Sequence, residues 1–236
     1  MRDVGQKAPC NGSGSMETSL HRELKDRYAH TDAETEVKLG KFRIDVVRDD
    51  ELIEIQHGSL AAIRGKVSTL LKKHRVRVVK PIVSRKRLLK RAAAGKRIVD
   101  RRMSPKKGTL LDVFHEMVYF CRVFPHDNLI VEVPLVTIEE YRFPGHGRRR
   151  RHRQRDHQVE DQKLTSIEST HEFRTAKDFA DLLPKKLPLR FDTQHIALGL
   201  EIDRWFAQRI AYSLRQIGGI TLAGKRGNAF LYERVA

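Results

Sequence analysis

Cysteine is scarce in this chain. There are two, Cys10 and Cys121, far apart in the sequence and outside any C-x-x-C or Cys/His cluster. Neither a zinc finger nor a disulfide scaffold is supported, and a reducing interior suits them. Long apolar runs are missing too. One early Arg opens the chain with no hydrophobic stretch behind it, and no segment approaches the length of a membrane span, so no membrane partner is expected. Aromatic residues make up 7% of the chain, without an RNP-type motif, which counts against an RNA-reading sheet.

Acidic residues are the minority charge. Lys and Arg number 47 against 30 Asp and Glu, a formal charge of +17. Phosphate neutralisation makes a polyanion the natural partner, although solubility, or a basic ribosome-associated protein, would leave a similar imbalance. With 236 residues, 39% of them hydrophobic, the chain can fold as one large or two small domains. The expected organisation is a disordered tail over 1–14, a folded domain over 15–142, a basic linker or arm over 143–170, and a second domain over 171–236. Sparse cysteines suited to a reducing interior and the absence of a membrane signal imply a cytoplasmic protein, nucleoid-associated if its polyanion is DNA.

The first domain is organised around Lys41 to Gln56, which reads as two short strands joined at Asp49-Asp50. With a two-residue loop, or a four-residue loop around it, Asp45 lies opposite Glu54 and Arg43 opposite Gln56. Like charges opposed on a sheet are unfavourable and call for a reason. A divalent cation is the simplest, since carboxylates on adjacent strands make a hard-oxygen site suited to Mg²⁺ and to activating water. An amphipathic hairpin whose two acids stay apart in water is the plainer account.

Around it, Thr18 to Ala29 is expected to be a helix burying Leu20, Leu24 and Tyr28. Its Glu23 can reach the hairpin or simply pair with Arg27. Glu36 to Leu39 reads as a strand, Ser59 as the cap of a helix to about Lys73, and Val76 to Val83 as a buried strand ended or edged by Pro81. Residues 84–107, dense in Lys and Arg, are phosphate contacts or a solvated basic face. A helix follows to about Phe120, then a strand over Leu129–Val136, placed near the sheet edge because of Pro134.

This order of elements, with Glu23 on the opening helix, Asp45 on the second strand and Glu54-Ile55-Gln56 on the third, resembles the PD-(D/E)XK nuclease superfamily, in particular its Holliday-junction-resolvase-like branch. The resemblance covers about Ser15 to Val83. It implies an α/β fold with a restriction-endonuclease-like mixed sheet flanked by helices, and Mg²⁺ or Mn²⁺ as cofactor. By the same resemblance Asp45 and Glu54 bind the metal, the main-chain carbonyl of Ile55 is a further ligand, and Glu23 completes the shell. The family usually has Lys where this chain has Gln56, which can hydrogen-bond a water but supplies no charge. Lys66 on the following helix is a candidate for the missing cation, or an ordinary exposed Lys. Cutting both strands of a duplex would suit a homodimer. A nuclease-like protein that binds DNA without cutting it is the alternative.

Phe143 to Lys163 carries Arg148, Arg149, Arg150 and Arg151 in a run that cannot bury apolar surface. It is expected to lie on phosphates or to serve as a bare linker. Beyond it, Thr175 caps one helix, Thr193 to Leu198 makes a second, and Asp203 caps a third from Arg204 to Ile217, with Phe206, Ile210, Leu214 and Ile217 inward and Arg204, Gln208, Ala211 and Arg215 outward. Ile220 to Ala223 and Ala229 to Tyr232 form a hairpin with Lys225 and Arg226 at its tip. Three helices and a basic hairpin resemble a winged helix-turn-helix domain. The resemblance implies DNA contacts from Arg204, Gln208 and Arg215 on the helix and from Lys225 and Arg226 on the wing. A small protein-binding helical domain is the other reading.

Overall fold

The computed structural model describes residues 18–29, 33–145 and 156–235. The tail over 1–14 and Arg148 to Arg151 lie outside these residues.

Helix α1 (Ser19–Tyr28) begins at Thr18, whose hydroxyl accepts the His21 N–H. Three strands follow, β1 (Glu34–Leu39), β2 (Phe42–Arg48) and β3 (Glu51–Ile55). The β2–β3 loop is the two-residue one, with Arg48 paired to Glu51. Asp49 accepts the left-handed conformation that such a loop requires, at φ 50°. Pairing runs Arg48–Glu51, Val47–Leu52, Val46–Ile53, and the next step of that register sets Asp45 against Glu54. A short 3₁₀ turn (Leu60–Ala62) and α2 (Arg64–Leu70) then cross over to β4 (Arg75–Val79), which is parallel to β3. The continuous helix expected from Ser59 is thus two pieces, because Glu116, from a later helix, accepts both the Ser59 hydroxyl and the Leu60 N–H and fixes a tight first turn.

Beyond β4 the sheet departs from the sequence-based reading. Residues 84–107 are largely strand. β5 (Ile82–Arg91) and β6 (Ile98–Met103) form an antiparallel pair whose Arg85, Arg87, Lys90, Arg101 and Arg102 are exposed. After a 3₁₀ turn (Leu110–Asp112) and α3 (Val113–Phe120), β7 (Leu129–Pro144) runs through the middle of the sheet rather than along its edge. β4 and β5 line one side of it, Val79 against Glu132 and Ile82 against Leu135, with pairing broken around Pro81, which comes opposite Pro134, and a register shift between Val83 and Arg85. Two prolines facing each other leave no ladder N–H unmatched there, so a central strand tolerates one. β8 (His157–Phe173) covers the other side of β7. The linker expected over 143–170 is therefore, for residues 157–170, part of the last strand of the sheet, and the first domain extends well past residue 142. Strand order is β1-β2-β3-β4-β7-β5-β6, with β8 on β7.

The protein is α/β, a mixed sheet flanked by helices. On one face Leu20 and Leu24 of α1 pack against Val46, Ile53, Ile55, Val79, Val136 and Ile138. On the other, α2 and α3 cover Leu52, Val76, Val78 and Val131. This second core continues into the C-terminal elements: α4 (Ala176–Ala180), α5 (Thr193–Leu200), α6 (Arg204–Ile217) and the hairpin β9 (Ile220–Arg226) and β10 (Ala229–Arg234). Phe179 packs on Phe114, Phe124 and Phe173, joining α4 to the first body. α6 lies along α3, where His115 stacks on Phe206 at 4.3 Å between ring centres. Ala211, expected outward, is buried with Phe206, Ile210 and Leu214.

Candidate functional site

β2 and β3 part company after Val46 and Ile53, and the Asp45 carboxylate enters the gap. Its Oδ2 accepts the Ile55 N–H at 2.8 Å, a bond that would otherwise go to the neighbouring strand. Its Oδ1 is 3.4 Å from His21 Nε2 on α1. Burial pushes the Asp45 carboxyl up, but His21, the Ile55 N–H and Lys66 outweigh it and hold it below the usual range.

Glu54, beside it on β3, is 4% exposed. Lys66 Nζ lies 2.5 Å from Glu54 Oε1 in an ion pair without hydrogen-bond geometry, and the same ammonium donates to the Arg43 carbonyl. The helical Lys is thus drawn in from α2 to the strand ends rather than left in solvent. Burial, reinforced by the Asp45 charge, pushes the Glu54 carboxyl up to about 7 despite Lys66. Two neighbouring carboxyls with pKa values moved in opposite directions mark a functional site as readily as an ion-pair network.

The site opens at the carboxyl ends of the parallel strands β3 and β4, where α/β sheets commonly receive ligands. Its floor is the turn after β3. Gln56 donates its side-chain amide to the Ser59 carbonyl at 2.9 Å, so that N–H is engaged in the loop. Lys80, buried at the end of β4, donates to the carbonyls of His57 and Gly58 at 2.9 and 2.5 Å. Burial, then Lys80, Lys86 and His21, hold the His57 imidazole below its ordinary pKa.

The structure brings Asp45, Glu54 and Lys66 together and places Ile55 and Gln56 next to them. It does not bring in Glu23. That carboxylate accepts the Leu164 N–H of β8 at 2.6 Å and anchors α1 to the sheet. The α1 side chain that meets the hairpin is His21, which the sequence reading passed over. Its spacing from Leu20 and Leu24, one residue to the side of the buried stripe, was the available signal. Among the described residues no group of three or more His, Cys, Asp or Glu side chains is placed to hold a metal ion. A hard divalent cation nevertheless fits the donors present as a two-carboxylate site completed by solvent. Glu54 Oε1 already faces the Lys66 ammonium, so a cation would share that oxygen with it, and its added positive charge would offset the repulsion between two adjacent acids.

A second buried network sits behind the site, also missed from sequence. Arg77 of β4 donates to Glu51 at 2.9 Å and to Glu132 and Glu172, and Tyr28 of α1 donates to Glu132. On the C-terminal elements Arg204, Gln208 and Arg215 are exposed along one stripe of α6, as expected. Lys225 lies over the Phe230 ring at 4.9 Å. Arg226 is not at a free tip. It pairs at 2.6 Å with Asp192, the capping residue of α5.

No helix among the described residues is long and apolar enough to cross a membrane. An uncharacterized protein of Treponema pallidum (strain Nichols) is 30% identical over 222 residues, covering 92% of this chain and 85% of its own length. No solved structure matches. Residues 18–174 match the family described as a domain of unknown function (DUF8091), a span that opens at the cap of α1 and closes one residue after β8. The chain belongs to the DUF8091 family.

Proposed function

We propose that this protein is a Mg²⁺- or Mn²⁺-dependent endonuclease that hydrolyses DNA phosphodiester bonds, with a PD-(D/E)XK-type body and a C-terminal winged helix that holds the DNA. The observation that carries the reading is the pairing of Asp45 and Glu54 at the end of β3 with Lys66 drawn onto Glu54. It sits in an arrangement of helix, three antiparallel strands, crossover helix and parallel fourth strand. A bound cation would supply Lewis acidity toward a phosphate oxygen and a nearby water. Asp45 and Glu54 would hold it, with the Ile55 carbonyl and solvent completing the shell.

The other roles belong to the chain's own groups. Lys66 supplies the ammonium that Gln56 lacks, next to the carboxylate where a nucleophilic water would be oriented. The Ile55 N–H fixes the Asp45 carboxylate. His21 Nε2, 3.4 Å from Asp45 Oδ1, orients that carboxylate from α1. Arg87, Arg101 and Arg102 on the β5–β6 ribbon offer phosphate contacts, as do Arg148 to Arg151 from outside the described residues. For the C-terminal elements, support comes from their order, with a bridge at Phe191 to Tyr232 between α4 and α5 and a two-strand hairpin after α6. Such a protein would work on the nucleoid, and a homodimer would place two sites on one duplex.

Incubation with plasmid and forked DNA in Mg²⁺, Mn²⁺ or EDTA tests this. Cleavage that requires the cation and is lost in Asp45→Ala, Glu54→Ala and Lys66→Ala is expected. A protein that binds DNA tightly but cuts under no metal is the second reading. It is favoured by the engagement of the Gln56 amide with the loop and by the absence of a third acid from α1.

A further inference from the structure

The outward stripe of α6 does not present a flat surface. Arg204, Gln208, Tyr212 and Arg215, at helical spacing, form one wall of a cleft of about 340 Å³ whose other wall includes Asn228 and Phe230 of the hairpin. That volume lies near the lower end of small-ligand pockets, which run from about 300 to 1,000 Å³. Two aromatic residues on these opposing walls are exposed, Tyr212 at 48% and Phe230 at 41%. No lining residue is acidic, and Lys225 places a further cation over the Phe230 ring at 4.9 Å.

We infer that this cleft is a stacking slot for unpaired nucleotides, and that the nucleic acid this protein engages contains a single-stranded segment. The inference rests on the nucleic-acid reading of the C-terminal elements and names their substrate class. In an intact duplex the base faces are covered by their neighbours, so side chains meet only base edges and backbone. An exposed ring midway along the helix stripe has nothing to stack on there. Unpaired bases offer their faces, and aromatic platforms flanked by cations are how proteins hold them without regard to sequence. Arg204 and Arg215, on either side of Tyr212, are placed for the phosphates of a strand whose base enters the slot. Gln208 can donate to and accept from a base edge. A basic protein with a wholly non-acidic cleft suits this occupant better than a peptide, whose carboxylates and carbonyls would leave both rings without a partner of matching shape.

The test uses the full chain in EDTA and fluorescence anisotropy with labelled 20-nucleotide single strands, blunt duplexes of the same sequence, and forked duplexes. The single strand and the fork are expected to bind at least tenfold more tightly than the blunt duplex. Tyr212→Ala and Phe230→Ala should each weaken single-strand binding about 5- to 150-fold, from the 1–3 kcal/mol typical of base stacking, and leave duplex binding unchanged. Tyr212→Phe should retain wild-type affinity, and unchanged circular-dichroism melts would show that these exposed positions do not perturb folding. The inference is overturned if the blunt duplex binds as tightly as the single strand, if the alanine variants weaken both forms equally, or if no nucleic acid binds. Cation-dependent cutting of duplex without single-strand preference would leave the proposed hydrolysis standing and remove the slot. Single-strand preference without cutting under any metal would do the reverse.

Discussion

Glu54 shows what a single residue costs the fold and offers the site. Its carboxyl is raised to about 7 by burial and by Asp45, above the ordinary 4.5. Between those values the folded chain binds a proton that the unfolded chain has released, so the contribution of Glu54 to stability in EDTA is full below about 4.5 and is lost as pH rises through about 7. Glu54→Gln removes the ionisation. It should melt close to wild type at pH 5 and above it at pH 8, by on the order of 1–3 kcal/mol. Parallel melting curves for the two proteins across that range would refute the buried-charge account. Arg77 is the opposite case, a cation held among Glu51, Glu132 and Glu172. Arg77→Met leaves these carboxylates facing one another and is expected to lower the urea-derived unfolding free energy by about 3–5 kcal/mol; a loss under 1 kcal/mol would mean that water already screens them. The two residues also differ in how visible they were. Glu54 opposes Asp45 across a two-residue loop, so local register alone brought them together on paper. Arg77 lies inside a valine-rich strand, and its partners come from positions 51, 132 and 172, separations over which a sequence carries no pairing signal.

The same contrast holds among elements. The β2–β3 hairpin, the opening helix, the cap at Thr175 and the three C-terminal helices were legible, because turn geometry, capping and apolar period act over a few residues. β8 was not. Its polar sequence offers no buried stripe, and it is held by backbone pairing to β7 along nearly its whole length and by polar anchors to α1. Ser19 donates its N–H and hydroxyl to Asp161 at 2.9 and 2.6 Å, and Glu23 accepts from Leu164. α1 in turn carries His21 to Asp45, so β8 supports the site through the helix. Asp161→Ala is expected to cost about 1–2 kcal/mol for the two lost bonds. It should also raise hydrogen exchange in the first turn of α1 selectively, with any cleavage activity reduced in parallel. Exchange unchanged in α1 would show that Leu20 and Leu24 alone fix the helix.

At the scale of the molecule the expected tether between two modules is replaced by a shared core, so the C-terminal elements are docked on the body rather than swinging from it. The family match stops at Arg174, yet Phe179 of α4 is sealed against Phe114 and Phe173 of the matched span, and α6 is fixed to α3. The cleft on α6 therefore has a defined position relative to Asp45 and Glu54, as the proposed hydrolysis would need if one part held a strand while another cut it. His115 is the joint most open to measurement. It is stacked on Phe206 and on Trp205, the single tryptophan of the chain, and Arg209 donates to its carbonyl. Burial, with Arg209 adding to it, holds its imidazole below the ordinary 6.5 in spite of Asp112 and Glu116. A depressed histidine gives stability that is complete above 6.5 and lost as pH falls through its folded value, because protonation is then easier in the unfolded chain. Wild type should therefore lose melting temperature relative to His115→Phe between pH 7 and pH 5. Trp205 emission should change over the same interval in wild type and stay level in the variant. Were both proteins to follow one pH curve, the stack would not be what couples the C-terminal elements to the sheet, and the docking would rest on the Phe179 contacts instead.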